Sequence, residues 1–471
     1  MSKLDEYQMK VVNETGHCLV IAGPGSGKST TICEKVKTLI ANGTNESEIL
    51  LISFTNKSVD DLKKKLGSNI FITTFHRLAI DILKYNKINY QICCDTLLDY
   101  IIEEYLITIK DKAKLCRYLN ITKLNKGKNE YISLKKLIKT FINLFKTNNH
   151  NINSLNNIVK DYQDKYLLKI ILDIFYLYEE EKNSTNSLDF DDLIIIATKI
   201  LNIKYNYKYF KYIIIDEFQD TSLIRFNLAK VIIDNTGAIL TAVGDDAQSI
   251  YHFSGCDLFI FLNLHKYINN LKQLKLANTY RFSQELIDIS AKFINKNPFQ
   301  LDKSMHGFTH INKPLEIIYY LNAKKKFKNL LNKLSDKKIL ILGRNQKDIY
   351  EYIDKDFEYN NGILKYNDKE YKYLTIHSAK GLEEDYVILL NVSNSTYGLP
   401  NKIENHNILS YVSSKEDDYP FAEERRVFFV AITRCKFKTY LMVPKNNPSI
   451  FIEEIKKSFK KRNYSSPKMF K

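Results

Sequence analysis

The chain has 471 residues, and its 70 lysines and arginines outnumber its 54 aspartates and glutamates to give a net charge of +16. This length exceeds what one hydrophobic core fills, so we expect two to four folding units. The basic surplus suits a polyanionic partner, although part of it could serve solubility alone. The sequence has no signal-peptide pattern, no apolar run of membrane-spanning length and no Cys-x-x-Cys pair. We therefore expect an intracellular protein without a membrane anchor, a zinc site or an iron–sulfur cluster.

The first part of the chain has the alternating pattern of an α/β sheet. A short apolar run at 18–22 predicts a buried strand, and residues 30–41 predict the helix that follows it. Further apolar runs predict strands at 49–53 and 70–73. This strand–loop–helix–strand order is typical of a parallel sheet.

From about residue 80 the apolar residues take helical spacing, which predicts an inserted helical region. Strand-like apolar runs return at 212–215, 238–243, 338–342 and 386–390. The predicted parts are a first α/β unit over 1–79 and 189–277, a helical insertion over 80–188, a second α/β unit over 278–455 and a basic tail over 456–471. For the tail, a solvated charge run and a DNA-contacting or targeting segment both stay open.

A glycine-rich loop follows the first predicted strand, with the sequence Ala22-Gly23-Pro24-Gly25-Ser26-Gly27-Lys28-Ser29-Thr30. Glycines in such a loop let backbone N–H groups approach phosphate oxygens at the start of a helix. In this pattern Lys28 reaches the β- and γ-phosphates and Ser29 ligates Mg²⁺. A glycine-rich turn without a ligand is the alternative, and the flanking strand and helix argue against it.

Two carboxylates, Asp216 and Glu217, follow the apolar run at 212–215 directly. The end of such a strand is where a doubly wound sheet opens its ligand crevice. We expect Asp216 to hold Mg²⁺ and Glu217 to orient and deprotonate the attacking water. With the glycine-rich loop, these residues predict a magnesium-dependent nucleoside triphosphatase.

Over nearly its whole length the chain resembles the UvrD/Rep-type superfamily 1 DNA helicases, because the motifs of that family recur in order. They are Leu4-Asp-Glu-Tyr-Gln8, the glycine-rich loop, Phe54-Thr-Asn-Lys57, Thr74-Phe-His-Arg77, Leu188 to Leu193, Asp216 to Asp220, Gly244 to Tyr251, Asn278 to Arg281, His377 to Glu383, and Glu424-Arg-Arg426 with Thr433-Arg434. The resemblance implies an α/β fold of two RecA-like P-loop motor domains with parallel sheets, the first carrying the helical insertion. It also implies ATP and Mg²⁺, and single-stranded and tailed duplex DNA as partners.

The resemblance assigns roles around ATP to residues far apart in the chain. It implies that Gln8 reads the adenine edge, Tyr280 stacks on adenine and Glu383 holds the ribose. It implies that Arg281 and Arg434 contact the γ-phosphate from the second motor domain, and that Gln248 couples the γ-phosphate to the DNA. Because the arginines reach the nucleotide only when the cleft closes, hydrolysis would be linked to domain closure.

The family positions also imply a set of DNA contacts: Phe54, Asn56, Thr74, Phe75, His76, Tyr251, Phe253 and His377. Stacking on aromatic rings and basic contacts to phosphate are the usual means of holding single strands. By themselves, Phe54, Phe75, Tyr251 and Phe253 are more often core aromatics, and His76 could be part of a helix cap.

The sequence departs from the family in three places. Phe253 stands where the family often has Trp, and Ser254 stands where it usually has Arg. The stretch from Arg281 to His377 is short, so we expect the second accessory subdomain to be missing or vestigial.

The resulting prediction is an ATP-dependent DNA helicase or translocase with 3′-to-5′ polarity, acting in replication, repair or recombination wherever its DNA is. The alternatives are a single-strand translocase that removes proteins or needs a loading partner to unwind, and a nucleotide-gated DNA-binding subunit without turnover. An RNA helicase also stays open, because recognition of the 2′-OH is not readable from these motifs.

Overall fold

A computed structural model describes residues 4–414 and 417–460. The chain first alternates helices with strands whose side chains are almost wholly buried. These elements are α1 (Glu6–Asn13), β1 (Cys18–Ala22), α2 (Lys28–Ala41), β2 (Ile49–Ile52), α3 (Asn56–Leu66), β3 (Phe71–Thr73) and α4 (Phe75–Tyr85). The four segments predicted over 18–73 therefore form as three strands and a helix.

A helical insertion follows, framed by two short paired strands. Its elements are β4 (Gln91–Ile92), α5 (Leu97–Thr108), α6 (Lys112–Tyr118), α7 (Asn129–Thr147), α8 (Ile152–Ile158), α9 (Tyr162–Ser184) and β5 (Ser187–Leu188). Since β4 pairs with β5, the insertion leaves and rejoins the α/β unit at one place. The insertion has a hydrophobic core of its own, which includes Phe141, Ile171 and Ile174.

The chain then completes the first sheet with α10 (Phe190–Ile203), β6 (Tyr212–Ile215), α11 (Leu223–Thr236), β7 (Ile239–Gly244), α12 (Leu258–Leu262) and β8 (Lys272–Leu276). The sheet has six parallel strands in the order β3-β2-β6-β7-β1-β8. Along β6, Ile213 and Ile215 enter the core on one face and Ile214 enters the core on the other. Burial on both faces is why this strand reads as a continuous apolar run.

The remaining elements form a second α/β unit. They are β9 (Asn278–Thr279), α13 (Gln284–Ile294), β10 (His306–Gly307), β11 (Leu315–Tyr320), α14 (Ala323–Lys333), β12 (Ile339–Gly343), β13 (Glu358–Asn360), β14 (Ile363–Tyr366), β15 (Lys369–Thr375), β16 (Glu384–Leu389), α15 (Ala422–Ile432), β17 (Cys435–Pro444) and α16 (Ile450–Lys460). The second sheet has the order β11-β17-β16-β12-β15-β14-β13. Its first five strands are parallel, while β14 is antiparallel to both of its neighbours.

The segment between Asn345 and Leu374 builds no domain of its own. It contains a 3₁₀ turn and the hairpin of β13 and β14, which extends the second sheet beyond β15. Phe357 and Leu364 pack into the same core as Ile341 of β12. In this described segment the second accessory subdomain is absent, as the short sequence predicts.

Two predicted boundaries fall inside helices. The boundary between residues 79 and 80 lies within α4, whose Ile82 and Leu83 are buried in the core of the first sheet. The basic tail predicted from residue 456 begins inside α16, and the rest of it, 461–471, lies outside the described residues. Among the described residues, no helix combines the length and the apolarity that a membrane crossing requires.

A strap from the second unit completes the core of the helical insertion. The strap is the 3₁₀ turn Asn407–Tyr411 with Val412, and its Ile408, Leu409 and Val412 are buried in the insertion's core. The amide of Asn148 donates to the Val412 carbonyl at 2.7 Å. The insertion therefore contacts both α/β units, although it belongs in sequence to the first.

Candidate active site

The glycine-rich loop joins β1 to α2 and bends sharply at two glycines. Gly25 and Gly27 have φ angles of +72° and +78°, in the left-handed region that side chains disfavour. A Cβ at Gly25 would also overlap the Cβ of Arg281. Helix α2 begins at Lys28 with Gly27 as its N-cap. The positive end of the helix dipole and its free N–H groups therefore face the space beside the loop, as an anion site requires.

That space is a cleft of about 550 Å³ between the two α/β units. Its lining includes most of the residues predicted for the nucleotide and the metal. They are Pro24, Gly25, Ser26, Gly27, Lys28, Ser29, Thr30, Asp216, Glu217, Gln248, Tyr280, Arg281, Glu383 and Arg434. Ala22 is fully buried at the end of β1, and a Cβ at Gly23 would overlap Met305. These two residues therefore pack beneath the loop and do not line the cleft.

Lys28 and Glu217 form an ion pair at the base of the cleft, with Nζ 3.1 Å from Oε1. Burial alone would raise the pKa of Glu217, but the charges of Lys28 and Lys380 outweigh it and lower the pKa. Burial and the neighbouring Glu217 charge raise the pKa of Asp216. The two carboxylates therefore differ in electrostatic environment, which allows them different chemical roles.

Glu217 also has a strained backbone. Its φ of +51° places a residue with a side chain in the left-handed region, two positions after the end of β6. Such a conformation costs on the order of 1–3 kcal/mol and is characteristic of functional sites. Within this turn the Glu217 N–H donates to Asp216 Oδ1 at 2.9 Å.

Ser29 and Asp216 supply a donor set that fits Mg²⁺. A hydroxyl and a carboxylate on one cleft are the hard oxygen ligands that Mg²⁺ takes together with substrate phosphates. The buried hydroxyl of Ser26 has no hydrogen-bond partner among the described residues, which suits a loop built around an anion. A second acidic cluster, formed by Glu179, Asp189 and Asp192 at the base of the insertion, is instead neutralised by two lysines.

A buried hydrogen-bond network joins the two ends of the cleft. Gln219 donates to Glu217 Oε2 at 2.7 Å and accepts from the Asp245 N–H at 3.0 Å. Gln248 donates to Asp245 Oδ2 at 2.7 Å, and its Oε1 accepts from Nη2 of Arg434 at 2.8 Å. Glu217, the predicted general base, is thereby linked through three residues, Gln219, Asp245 and Gln248, to Arg434 of the second unit.

Arg281 and Glu383 contact each other in this structure. The Arg281 Nε–H donates to Glu383 Oε2 at 2.7 Å, and Nη1 lies 3.5 Å from the Thr433 carbonyl. Arg281 thus lies near Arg434, and burial together with the Arg281 charge lowers the pKa of Arg434 to about 9. Two cations held this close in a buried cleft form a site for a multiply charged anion.

The residues predicted to bind adenine, Gln8 and Tyr280, flank the start of α2. The Tyr280 N–H donates to the Gly25 carbonyl at 2.9 Å, and its hydroxyl donates to Asp5 at 2.5 Å. Gln8 forms a capping box with Asp5, and its Nε2 lies 3.5 Å from the Ser26 carbonyl. Gln8 is 4% exposed, so it holds the loop here, whereas Tyr280 is 52% exposed and lines the cleft.

Four rings predicted to contact DNA cluster beside this network. Phe54 stacks on Tyr251 with ring centroids 5.9 Å apart, and Tyr251 and Phe253 are 6.1 Å apart. His377 from the second unit lies 5.6 Å from Phe253, and its backbone carbonyl accepts from the Tyr251 hydroxyl at 2.9 Å. Phe253 is 55% exposed, so its ring is open to a base.

The other predicted DNA contacts have different environments. Phe75 is buried in the core of the first sheet, so its ring is not open to a base in this structure. Thr74 is also buried, and its Oγ1 caps α4 by accepting from the Arg77 N–H, so it has a structural role here. Asn56 is exposed at the start of α3. Burial and the Arg225 charge lower the pKa of His76 to about 4, so this ring is neutral at neutral pH.

Several residues that line the cleft, or that bond to residues lining it, have no role predicted from the sequence. Lys380 donates at 2.5 Å both to Asp220 Oδ2 and to the Gln248 carbonyl, which ties the second unit to the first. Gln219 and Asp245 carry the network described above. Gln219 and Lys380 lie within family motifs, so their positions in the sequence could have indicated a role at the site. Lys436 lines the cleft but belongs to none of those motifs.

Comparison with known families gives two matches. Residues 4–269 match the UvrD/REP helicase N-terminal domain, and residues 364–446 match the UvrD-like helicase C-terminal domain. The first match covers more than half of the chain. It contains the glycine-rich loop and the carboxylate pair, and the second match contains His377, Glu383 and Arg434.

Curated proteins similar to the chain are named as DNA helicases. DNA helicase IV of Escherichia coli (strain K12) is 27% identical over 480 residues, covering 95% of this chain and 69% of that protein. The ATP-dependent DNA helicase Rep of Buchnera aphidicola subsp. Schizaphis graminum (strain Sg) is 30% identical, covering 79% of this chain and 53% of that protein. The ATP-dependent DNA helicase Rep of Escherichia coli (strain K12) is 27% identical, covering 73% and 52%. The chain thus spans about half the length of these Rep proteins.

Proposed function

The chain belongs to the UvrD/Rep helicase family, and we propose that it is an ATP-dependent DNA helicase that moves along single-stranded DNA. The observation that carries this proposal is the composition of the cleft. Lys28 and Glu217 from the first unit meet Arg281 and Arg434 from the second across one anion site. ATP hydrolysis in such a site depends on how the two units are placed relative to each other.

In the proposed reaction, Lys28 and the N–H groups of the glycine-rich loop bind the β- and γ-phosphates. Ser29 and Asp216 would hold Mg²⁺, which neutralises phosphate charge when bound. Phosphate binding draws Lys28 away from Glu217 and frees this carboxylate to orient and deprotonate the attacking water. Arg281 and Arg434 stabilise the charge that develops on the γ-phosphate.

Coupling to DNA would run through the short segment from Gln248 to Phe253. Gln248 faces the nucleotide cleft, and Tyr251 and Phe253 belong to the ring cluster beside it. Tyr251 also bonds to the backbone of His377 in the second unit. A change in the cleft therefore has a direct covalent and hydrogen-bonded route to the proposed DNA contacts. We propose 3′-to-5′ movement, which the family resemblance implies.

Single-stranded DNA is expected to raise the ATPase rate at least tenfold, since the second-unit arginines must be held against the nucleotide. The measurement is phosphate release at low salt with no nucleic acid, single-stranded DNA, duplex DNA or RNA. Equal rates with and without DNA would contradict the coupling. Equal stimulation by RNA would show that the ATPase does not select DNA, and would contradict DNA as the specific substrate. DNA binding should weaken steeply with salt, because phosphate contacts release counterions.

Phe253→Ala is expected to weaken single-strand binding by about 1–3 kcal/mol, or roughly 5- to 150-fold, because one stacked base is lost. The DNA-free ATPase rate should stay within about twofold. Fluorescence anisotropy with a labelled oligonucleotide measures the affinity. Phe259→Ala is a matched control, since this exposed aromatic lies on α12 outside the ring cluster. Unchanged affinity with a lowered melting temperature would identify Phe253 as a packing residue.

A second candidate is a single-strand translocase that strips proteins from DNA, or that needs a loading or activating partner to unwind. The observation that favours it is the absence of a second accessory domain between Asn345 and Leu374, where the described residues only extend the second sheet. Unwinding of a 3′-tailed duplex by the chain alone would favour the helicase. Displacement of streptavidin from a biotinylated single strand without unwinding would favour the translocase. For either candidate we propose a role in replication, repair or recombination, in the compartment that contains its DNA.

A further inference from the structure

Lys303 lies in the loop between α13 and β10 and reaches into the first unit. Its ammonium forms ion pairs with both Asp245 and Asp246, which follow β7. Both carboxylates are 0% exposed, and the Lys303 side chain is 12% exposed. The same loop also uses its backbone, since the Leu301 N–H donates to Asp246 Oδ2 at 2.8 Å. No motif quoted from the sequence contains this lysine.

Both oxygens of the Asp245 carboxylate accept hydrogen bonds, and their donors differ. Oδ1 accepts from Lys303 and from the Ala247 N–H, and Oδ2 accepts from the Gln248 side chain at 2.7 Å. The other end of the Gln248 amide accepts from Arg434. The orientation of Gln248 therefore depends on Asp245, and Asp245 is fixed from its far side by Lys303.

The backbone of Asp245 extends this hydrogen-bond network to Glu217, the predicted general base. Its N–H donates to Gln219 Oε1, and Gln219 donates to Glu217 Oε2. Fully satisfied buried networks of this kind hold side chains rigidly, whereas a partly satisfied network leaves costly unpaired groups. Removing Lys303 would leave two adjacent buried carboxylates without the ion-pair partner that they share.

We propose that Lys303 is a positioning residue for ATP hydrolysis, acting through Asp245 to hold Gln248 against Arg434 at the γ-phosphate end of the cleft. Lys303 itself does not line the cleft. It joins Arg281, Arg434 and Lys380 as a cation of the second unit that acts on the residues around the nucleotide cleft. This inference rests on the proposed ATPase function.

The decisive variant is Lys303→Met, compared with Asp246→Asn. Asp246→Asn removes a charge from the same buried cluster but leaves the contact of Lys303 with Asp245. Lys303→Met is expected to lower the DNA-stimulated kcat at least tenfold, with the KM for ATP and the single-strand Kd within about threefold. Asp246→Asn is expected to keep kcat within about threefold. Melting temperatures of both variants separate a loss of folding from a loss of rate.

The double variant Lys303→Met/Asp246→Asn is a control for the excess buried negative charge that Lys303→Met alone would leave. It should recover melting temperature relative to Lys303→Met while its kcat stays low, because Asp245 still lacks its partner. Recovery of kcat along with stability would overturn the proposal, as would a normal kcat in Lys303→Met. A wild-type chain without any DNA-stimulated hydrolysis would refute the proposed function instead, so the two failures are distinguishable.

Discussion

Glu217→Gln is expected to keep ATP bound and to lower turnover about 10²- to 10⁴-fold, the usual contribution of a general base. Glutamine has nearly the shape of glutamate, so the contacts of Gln219 and the turn after β6 are largely retained. The ion pair with Lys28 is lost, which frees Lys28 for phosphate. Nucleotide affinity should therefore be unchanged or increased although hydrolysis is much slower.

Two measurements check this expectation, namely fluorescent-ATP binding and single-turnover hydrolysis with saturating single-stranded DNA. Glu34→Gln is the control, because this glutamate lies on α2 outside the cleft lining and forms an ion pair with Lys37. Lys28→Ala is expected to differ from Glu217→Gln in nucleotide affinity, because it should weaken ATP binding as well as abolish turnover. Normal turnover in Glu217→Gln would show that another group activates the water.

The first sheet and its site were predictable because their signals are local. The strands 18–22 and 212–215 are continuous apolar runs, since both faces of the sheet are covered. The glycine-rich loop and the carboxylate pair follow these strands directly. Parallel strands bring their carboxyl ends to one edge, so Lys28 and Glu217 meet although 189 positions separate them.

Contacts that depend on packing between distant segments were not predictable. For Phe75 the sequence left a DNA contact and a core position both open, and only the fold shows its ring packed in the core of the first sheet. The strap residues Ile408, Leu409 and Val412 lie in a polar stretch without helical or strand periodicity, and their burial in the insertion comes from another part of the chain. Lys303 is one lysine among many, and only the fold places it on Asp245.

The second large effect is expected at Arg434, the most buried cation of the cleft. Its exposure is 1%, and it contacts Gln248, the Val430 carbonyl and the Leu382 carbonyl. Arginines of this kind contribute about 10³- to 10⁵-fold to phosphoryl transfer in other triphosphatases. Arg434→Lys keeps a positive charge but removes the planar fork that can hold Gln248 and phosphate together.

Arg434→Lys is therefore expected to lower the DNA-stimulated kcat by at least 10²-fold while the DNA-free rate changes much less, since the arginine acts when the units are held together. Arg425→Lys is the matched control: Arg425 is also buried and pairs with Glu454, away from the cleft, so it should cost stability without a comparable loss of rate. Steady-state hydrolysis with and without single-stranded DNA, together with melting temperatures, separates these effects. An equal loss of both rates in Arg434→Lys would mean that Arg434 serves the first unit's chemistry directly and that DNA coupling runs through Arg281 or Lys380.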